Sequence, residues 1–468
     1  MIDFQHPNYV NSIQQWQLID DICEAKNLKQ YIVKINSHDG SQSAQQRRDQ
    51  FFKRSVFYAI AGYTAQGFLG KAFSEPPKCT VPDSLDYVRY DIDGAGVSIY
   101  QQAQEVFKDV VRIGRAGLLI DFPTVDGDVS RQDMVDNQTV ATVTRFSADQ
   151  IVNWQVRKIG SKVKPVLIVL KSTENELHYD GFGFDVIDIY IELRLDEDGY
   201  YQREWRKHDL TGEHYIHSES TPVDSKGQRL TMIPFVFVGS EANTSRVDFA
   251  PMYDLSKINV GHFNNSAIYE DSVFVVGQVQ PWMSGLSGDT LNDLRKNGQF
   301  IGSGTLMGVP SGEKFDFAQA KPNSLAKEAM TDKVQMMIGL GAMFLSPNGA
   351  AKTATQVDGE LMAQHSVLSL ISSNVSEAYN QALGYVKLFM GDDNEEATLL
   401  INRQFVKPNA SAQDITAMVA SFLQGALPIS DLLNWQKLHG LVDKDKTLED
   451  YSEEIGIQDS MADLDEEI

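Results

Sequence analysis

The residue types that could do chemistry gather at three places in the sequence. The first is GYTAQGFLGKA (62–72), which partly matches a phosphate-binding loop. That loop needs Gly-x4-Gly-Lys-Ser/Thr, so that backbone N–H groups cradle phosphates and a hydroxyl reaches Mg²⁺. Here Ala65 stands at the first glycine position and Ala72 at the hydroxyl position. Glycines that allow helices to pack closely account better for the segment. The second is DIDGAG (91–96), with Asp91 and Asp93 ahead of a glycine as in a calcium loop. An EF-hand loop closes with Glu at its twelfth position. That position is Gln102, so a turn capped by Asp side chains is expected. The third is the trio His208, His214 and His217, with Asp209 and Glu213 nearby. His214 and His217 on one strand would point to opposite faces, and the expectation is a polar hairpin with no metal.

Other catalytic patterns are missing. There is no Gly-x-Ser-x-Gly elbow and no His-Glu-x-x-His. Cys23 and Cys79 make neither a disulfide framework nor a metal spacing. Met330, Met336, Met337 and Met343 suit a core or a subunit interface better than a cofactor site. The expectation is a non-enzyme without cofactor or metal, assembled in a reducing cytoplasm and bearing no signal peptide or membrane span. With 42% hydrophobic and 22% charged residues, 468 residues suffice for two or three cores. The formal charge of -23 opposes tight binding to phosphates but is compatible with enclosing DNA. An acidic wall repels the polymer and lets it slide.

The elements that must position these residues read as α+β. Helical spacing marks Trp16, Ile19, Ile22 and Cys23, then a long helix over 46–73 stopped by Pro76–Pro77, then a helix over 98–113 with Ala103, Val106, Phe107 and Val110. GRAGLLIDFP (114–123) turns through Gly117 into a strand, and a surface loop over 124–140 follows. Strands are expected at 166–170, 186–195, 200–208 and 233–238, with turns at Asp198–Gly199 and Thr211–Gly212. A helix over 251–272 comes next, with Leu255, Ile258, His262 and Tyr269 sharing a face. Strands at 273–280 and 299–309 precede helices at 324–344 and 354–390, separated by the small-residue loop LSPNGAAKT (345–353). Helices near 411–424 and 429–440 lead to an acidic tail with Glu453, Glu454, Asp463, Asp465, Glu466 and Glu467.

Several segments, in order, resemble one group of tailed-phage portal proteins, a family first described only as a domain of unknown function. HPNYVNSIQQWQLIDDICE is similar to its opening His-Pro-x-Tyr helix, and KRSVFYAIAGYTAQGFLGKAFSEPP to its Gly-x-x-Phe and Pro-Pro segment. DIDGAG, GRAGLLIDFP, SADQIVNWQV and IPFVFVGS resemble its next landmarks. APMYDLSKINVGHFNNSAIYED and TATQVDGELMAQHSVLSLI resemble two of its helix starts. Mild departures stand at Met252, Phe263 and Gln356, where the family often has Leu or Pro, Tyr, and Glu.

The resemblance implies a portal fold: helical wing and stem, a β-rich clip and wing segment, and a C-terminal helical crown. Mapped onto this chain, 1–165 would be a mostly helical wing, 166–240 the β-rich wing and clip, and 241–275 the stem helix. Residues 276–410 would complete the wing with long helices and a tunnel loop, and 411–468 would form the crown and tail. Stem-helix candidates are Asp254, Lys257, Asn259, His262 and Asn264. Ser346, Asn348, Lys352 and Thr353 are candidates to face DNA from the tunnel loop. The implied assembly is a homo-oligomeric ring, typically of twelve, at one capsid vertex of the virion. Double-stranded DNA would pass through it during packaging and ejection. Its implied partners are the terminase large subunit, head-completion, adaptor and tail proteins, and the major capsid or scaffolding protein. Another head-to-tail adaptor or capsid protein, and a metal-dependent nuclease with scattered carboxylates, are the alternatives.

Overall fold

The structure is a computed structural model. It describes residues 1–35, 38–122, 139–178, 181–208, 211–277, 280–285, 287–289, 292, 314–318, 324–341, 354–392, 396–403, 405, 412–443, 446–451 and 453. Helix α1 (Pro7–Cys23) starts where His6 accepts a hydrogen bond from the Asn8 N–H and Pro7 supplies a preset φ. It buries Tyr9, Trp16, Ile19 and Ile22. The long helix expected over 46–73 is two helices, α2 (Gln42–Arg54) and α3 (Ile60–Ala72). The break is fixed from outside: the buried Asn259 side chain accepts from Ala61 N–H and donates to the Tyr58 carbonyl. It thereby satisfies backbone groups that a continuous helix would have paired internally.

Helix α4 (Ile99–Ile113) begins at a Ser98 cap and ends at Gly114, whose φ of 82° is left-handed. A Cβ at Gly114 would also lie 2.5 Å from the Phe249 carbonyl oxygen. The turn into the strand is therefore at Gly114 and not at Gly117, which sits inside β2 (Arg115–Asp121). β2 is the middle strand of a three-stranded antiparallel sheet, between β3 (Thr142–Ser147) and β9 (Phe235–Gly239). A strand with neighbours on both sides and helices over it reads as a continuous apolar run, as GLLI does.

A second sheet is a five-stranded antiparallel meander of β4 (Ile151–Ile159), β5 (Lys162–Leu177), β6 (Phe184–Asp196), β7 (Gly199–Lys207) and β8 (His214–Ser220). Strands β3 and β4 were not among the strands named from the sequence, β8 is the second arm of the expected polar hairpin, and residues 165 and 166 both lie inside β5. β6 and β7 are joined by Glu197–Asp198, with Gly199 at φ 116°. Around the middle of β5 this sheet buries Ile151, Trp154, Ile168, Leu170, Leu193 and Tyr200. Toward the two ends of β5 it exposes Val163 beside the β4–β5 turn, and Phe184 and Val186 opposite Leu177 and Asn175. IPFVFV does not join it: from Phe235 it pairs with β2.

Helix α5 (Tyr253–Gly277) packs against α6 (Leu325–Gly339). Residues 273–277, expected as strand, continue α5. The short β10 (Gln280–Met283) pairs with β11 (Phe315–Ala318). The expected strand at 299–309, the loop at 124–138 and the loop at 345–353 lie outside the described residues. Helix α7 (Ala354–Met390) lies over β9 and β2 and buries Leu368, Ile371, Val375, Tyr379 and Val386. β1 (Lys78–Thr80) pairs with β12 (Thr398–Leu400), and α8 (Ala412–Leu423) packs on α9 (Ile429–Leu438). One large core runs from Tyr9 to Ile401, and a small one joins Ile32 and Phe51 to Phe263 and Ala267. Among the described residues no helix is long and apolar enough to cross a membrane.

Candidate functional site

The sequence landmarks that lie far apart along the chain meet around one buried cation. Trp154 of β4 is stacked on His6, with ring centroids 3.9 Å apart and planes 14° from parallel. On the other side, the Arg115 guanidinium carbon lies 4.4 Å from the Trp154 ring centroid and 4.7 Å from that of Phe237. Arg115 is 1% exposed. Its Nη1 donates to the Arg246 carbonyl at 2.7 Å and the Ser245 carbonyl at 3.3 Å. Its Nε and Nη2 have no hydrogen-bond partner among the described residues. Burial pulls the guanidinium down to about 10, against the opposing pull of Asp248, so it stays charged at neutral pH. Two aromatic faces and two carbonyls hold it in place of a carboxylate. HPNY, GRAG, Asn153–Trp154 and the Ile-Pro-Phe strand are thus one packing unit.

The residues proposed for a stem helix lie on α5 but do different work. Asp254 and Lys257 are exposed, and Lys257 Nζ lies 5.3 Å from the Tyr253 ring centroid. Asn259 is fully buried and staples the α2–α3 break. Asn264 accepts from Val33 N–H at 2.7 Å and donates to the Tyr31 carbonyl at 3.0 Å. His262 is buried with an unpartnered Nδ1, and burial followed by the Lys333 charge pushes its pKa below the ordinary value. Further along, Asp271 is clamped by Arg47 and Arg54 of α2. Burial works the other way, yet the two arginines hold its carboxyl below the usual range. Of the five candidates, Asn259 and His262 are therefore buried within this chain, Asn264 is half-buried, and Asp254 and Lys257 are exposed. The tunnel-loop candidates Ser346, Asn348, Lys352 and Thr353 lie outside the described residues.

The other chemistry-bearing segments resolve as structural features. Gly62 of α3 meets the Cys23 carbonyl oxygen, which a Cβ would approach to 2.3 Å, so this glycine permits close α1–α3 packing. Gly67 and Gly70 have open space around them and do not. Asp93 Oδ1 accepts from Ala95 N–H and Val97 N–H, and Asp91 Oδ1 from Gly96 N–H, all at 2.9 to 3.1 Å. That is a turn capped by Asp side chains. His208 and His217 both sit edge-on to Tyr215, and His214 sits edge-on to Tyr190. Among the described residues no group of three His, Cys, Asp or Glu could hold a metal ion. Met337 is core and Met336 is exposed.

Residues 251–390 match a family model described as a domain of unknown function, DUF4055. No curated protein matches the chain. Among the solved structures similar to it are two with 12% sequence identity each. One is described as the virion of a native gene transfer agent particle, with a TM-score of 0.41, covering 83% of this chain and 91% of that one. The other is the neck of an empty gene transfer agent particle with C6 symmetry, with a TM-score of 0.42, covering 84% and 92%. The family match spans α5, α6 and α7, the helices that carry the stem candidates and the 37-residue helix.

Sequence reasoning missed the Arg115 knot and the cleft beside it. That cleft, about 620 Å³, is lined by Phe4, His6, Asn153, Trp154, Arg157 and Arg246 among others. The lining comes from three stretches separated by more than a hundred positions in two cases, and no local spacing announces it.

Proposed function

We propose that this chain is the portal subunit of a tailed phage or phage-like particle, a ring-forming structural protein with no bond chemistry of its own. The observation that carries the reading is the ordered resemblance, with landmarks from His6 to Phe235 folding into one unit around Arg115 and Trp154. The family match over 251–390 adds to it, because it covers the region assigned to stem and wing. In this reading α5 is the stem helix, the β4–β8 sheet supplies the clip and part of the wing, and α7 is the wing helix. Residues 345–353 form the tunnel loop, with Lys352 touching phosphate transiently, and α8 and α9 begin the crown. The terminase docks during packaging, and head-completion and tail proteins replace it afterwards.

A ring closes through two unlike, matching patches related by a fixed rotation. Twelve subunits at -23 each would carry about -280 before counterions. Assembly is therefore expected to need salt or divalent ions. The same charge makes the channel wall largely repulsive, which suits a passage that must not grip its contents. The reading is tested against its enzymatic rival by incubating purified protein with duplex DNA and Mg²⁺ or Mn²⁺. The DNA should remain intact; robust cleavage by the pure chain would overturn the proposal.

A further inference from the structure

The cleft beside the Arg115 knot has the features of a peptide site. β4 is an edge strand, paired only with β5. At its inner end His6 N–H donates to the Val152 carbonyl at 2.9 Å, covering that part of the edge. From Asn153 to Arg157 the strand runs along the cleft instead. Asn153 is 6% exposed and borders the cleft, so its side-chain amide stands beside whatever occupies it.

The charge around the cleft is of one sign. Its lining is Phe4, His6, Pro7, Asn8, Asn153–Arg157, Val166, Ser245 and Arg246, with no Asp or Glu. The ionised side chains are Arg157 and Arg246, and the first turn of α1 lies beside them. In a chain with 64 acidic and 41 basic residues, an acid-free concavity is a departure from the average surface. A nucleic acid would meet the acidic remainder of the chain, whereas a short segment would meet the cleft alone. Apolar Phe4, Val156 and Val166 alternate with the polar groups there. An extended peptide adding to a strand edge uses such alternation, with backbone bonds for affinity and pockets for side chains.

We propose that this cleft binds the acidic segment 459–468 of this same chain, DSMADLDEEI, laid along the β4 edge. The match is one of charge: in an extended segment Asp459, Asp463, Asp465 and Glu467 share one side with Met461 and can face the arginine pair, while Leu464, Glu466 and Ile468 fall on the other. Asn153 offers its amide to the added backbone. The proposal does not depend on the portal reading.

The test is photocrosslinking in the full-length protein, with p-benzoylphenylalanine in place of the half-exposed Val156 and adducts mapped by mass spectrometry. Adducts should fall within 459–468. Combining Arg157→Glu with Arg246→Glu should lower their yield about fivefold, the effect of losing about 1 kcal/mol of exposed ion pairing. Changing Asp463, Asp465, Glu466 and Glu467 to Lys in that background should restore it. Adducts that map elsewhere, or a yield indifferent to both charge reversals, would overturn the proposal. The rescue arm separates a lost contact from a misfolded variant.

Discussion

Replacing Asn259 by Ala should be among the most damaging single changes in α5, although the residue lies in the middle of a helix and carries no charge. Its amide is fully buried and makes two hydrogen bonds to the backbone of the α2–α3 break, to Ala61 N–H at 3.0 Å and the Tyr58 carbonyl at 2.9 Å. Alanine would leave the Ala61 N–H buried and unpaired, whereas the Tyr58 carbonyl would keep the Ile60 N–H at 2.8 Å. One such group costs about 1–3 kcal/mol, so the loss should be about 2 kcal/mol. Denaturant unfolding monitored by tryptophan fluorescence would measure it, with Lys257→Ala as a control two positions away on the exposed face. The control should change stability by less than about 0.5 kcal/mol. If Asn259→Ala matches the control, then the side chain does not fix the break and its assignment as an internal staple is wrong.

Gly62→Ala should destabilise by about 1–3 kcal/mol, because its Cβ would approach the Cys23 carbonyl to 2.3 Å and force α1 and α3 apart. Gly67→Ala, with open space around it, should be neutral or stabilising by up to about 1 kcal/mol in the same unfolding assay. Burial raises the Asp20 carboxyl to about 6, opposed by Arg112. A carboxyl raised on folding takes up a proton more readily in the folded chain, so its contribution is full below the ordinary Asp range and is lost as pH rises through about 6. The unfolding midpoint of the wild type should therefore fall relative to Asp20→Asn between pH 4 and 7, values chosen to bracket that titration. An unchanging difference would show that Asp20 titrates normally. Lys352→Ala should weaken the salt dependence of DNA packaging; identical packaging at every salt concentration would remove that contact from the account.

Much of the helical framework was legible in the sequence. Trp16, Ile19 and Ile22, or Ala103, Val106, Phe107 and Val110, recur at helical spacing and are buried in one core. The break at 55–59 was not legible, because what imposes it is an Asn two hundred positions away. β4 escaped because NWQVRK mixes large apolar and charged residues on an edge strand that is buried at one end and exposed at the other. The site was harder still. His6, Arg115 and Trp154 carry no catalytic spacing, and only the fold brings them together. The ordered resemblance identified these segments as landmarks without indicating that they touch.

The central claim is that this chain builds a ring. Particle imaging of the purified full-length protein, in buffer with salt and divalent ions, tests it most directly. The account predicts closed rings of identical subunits around a central hole. A population of monomers or compact oligomers without a channel under those conditions would contradict it.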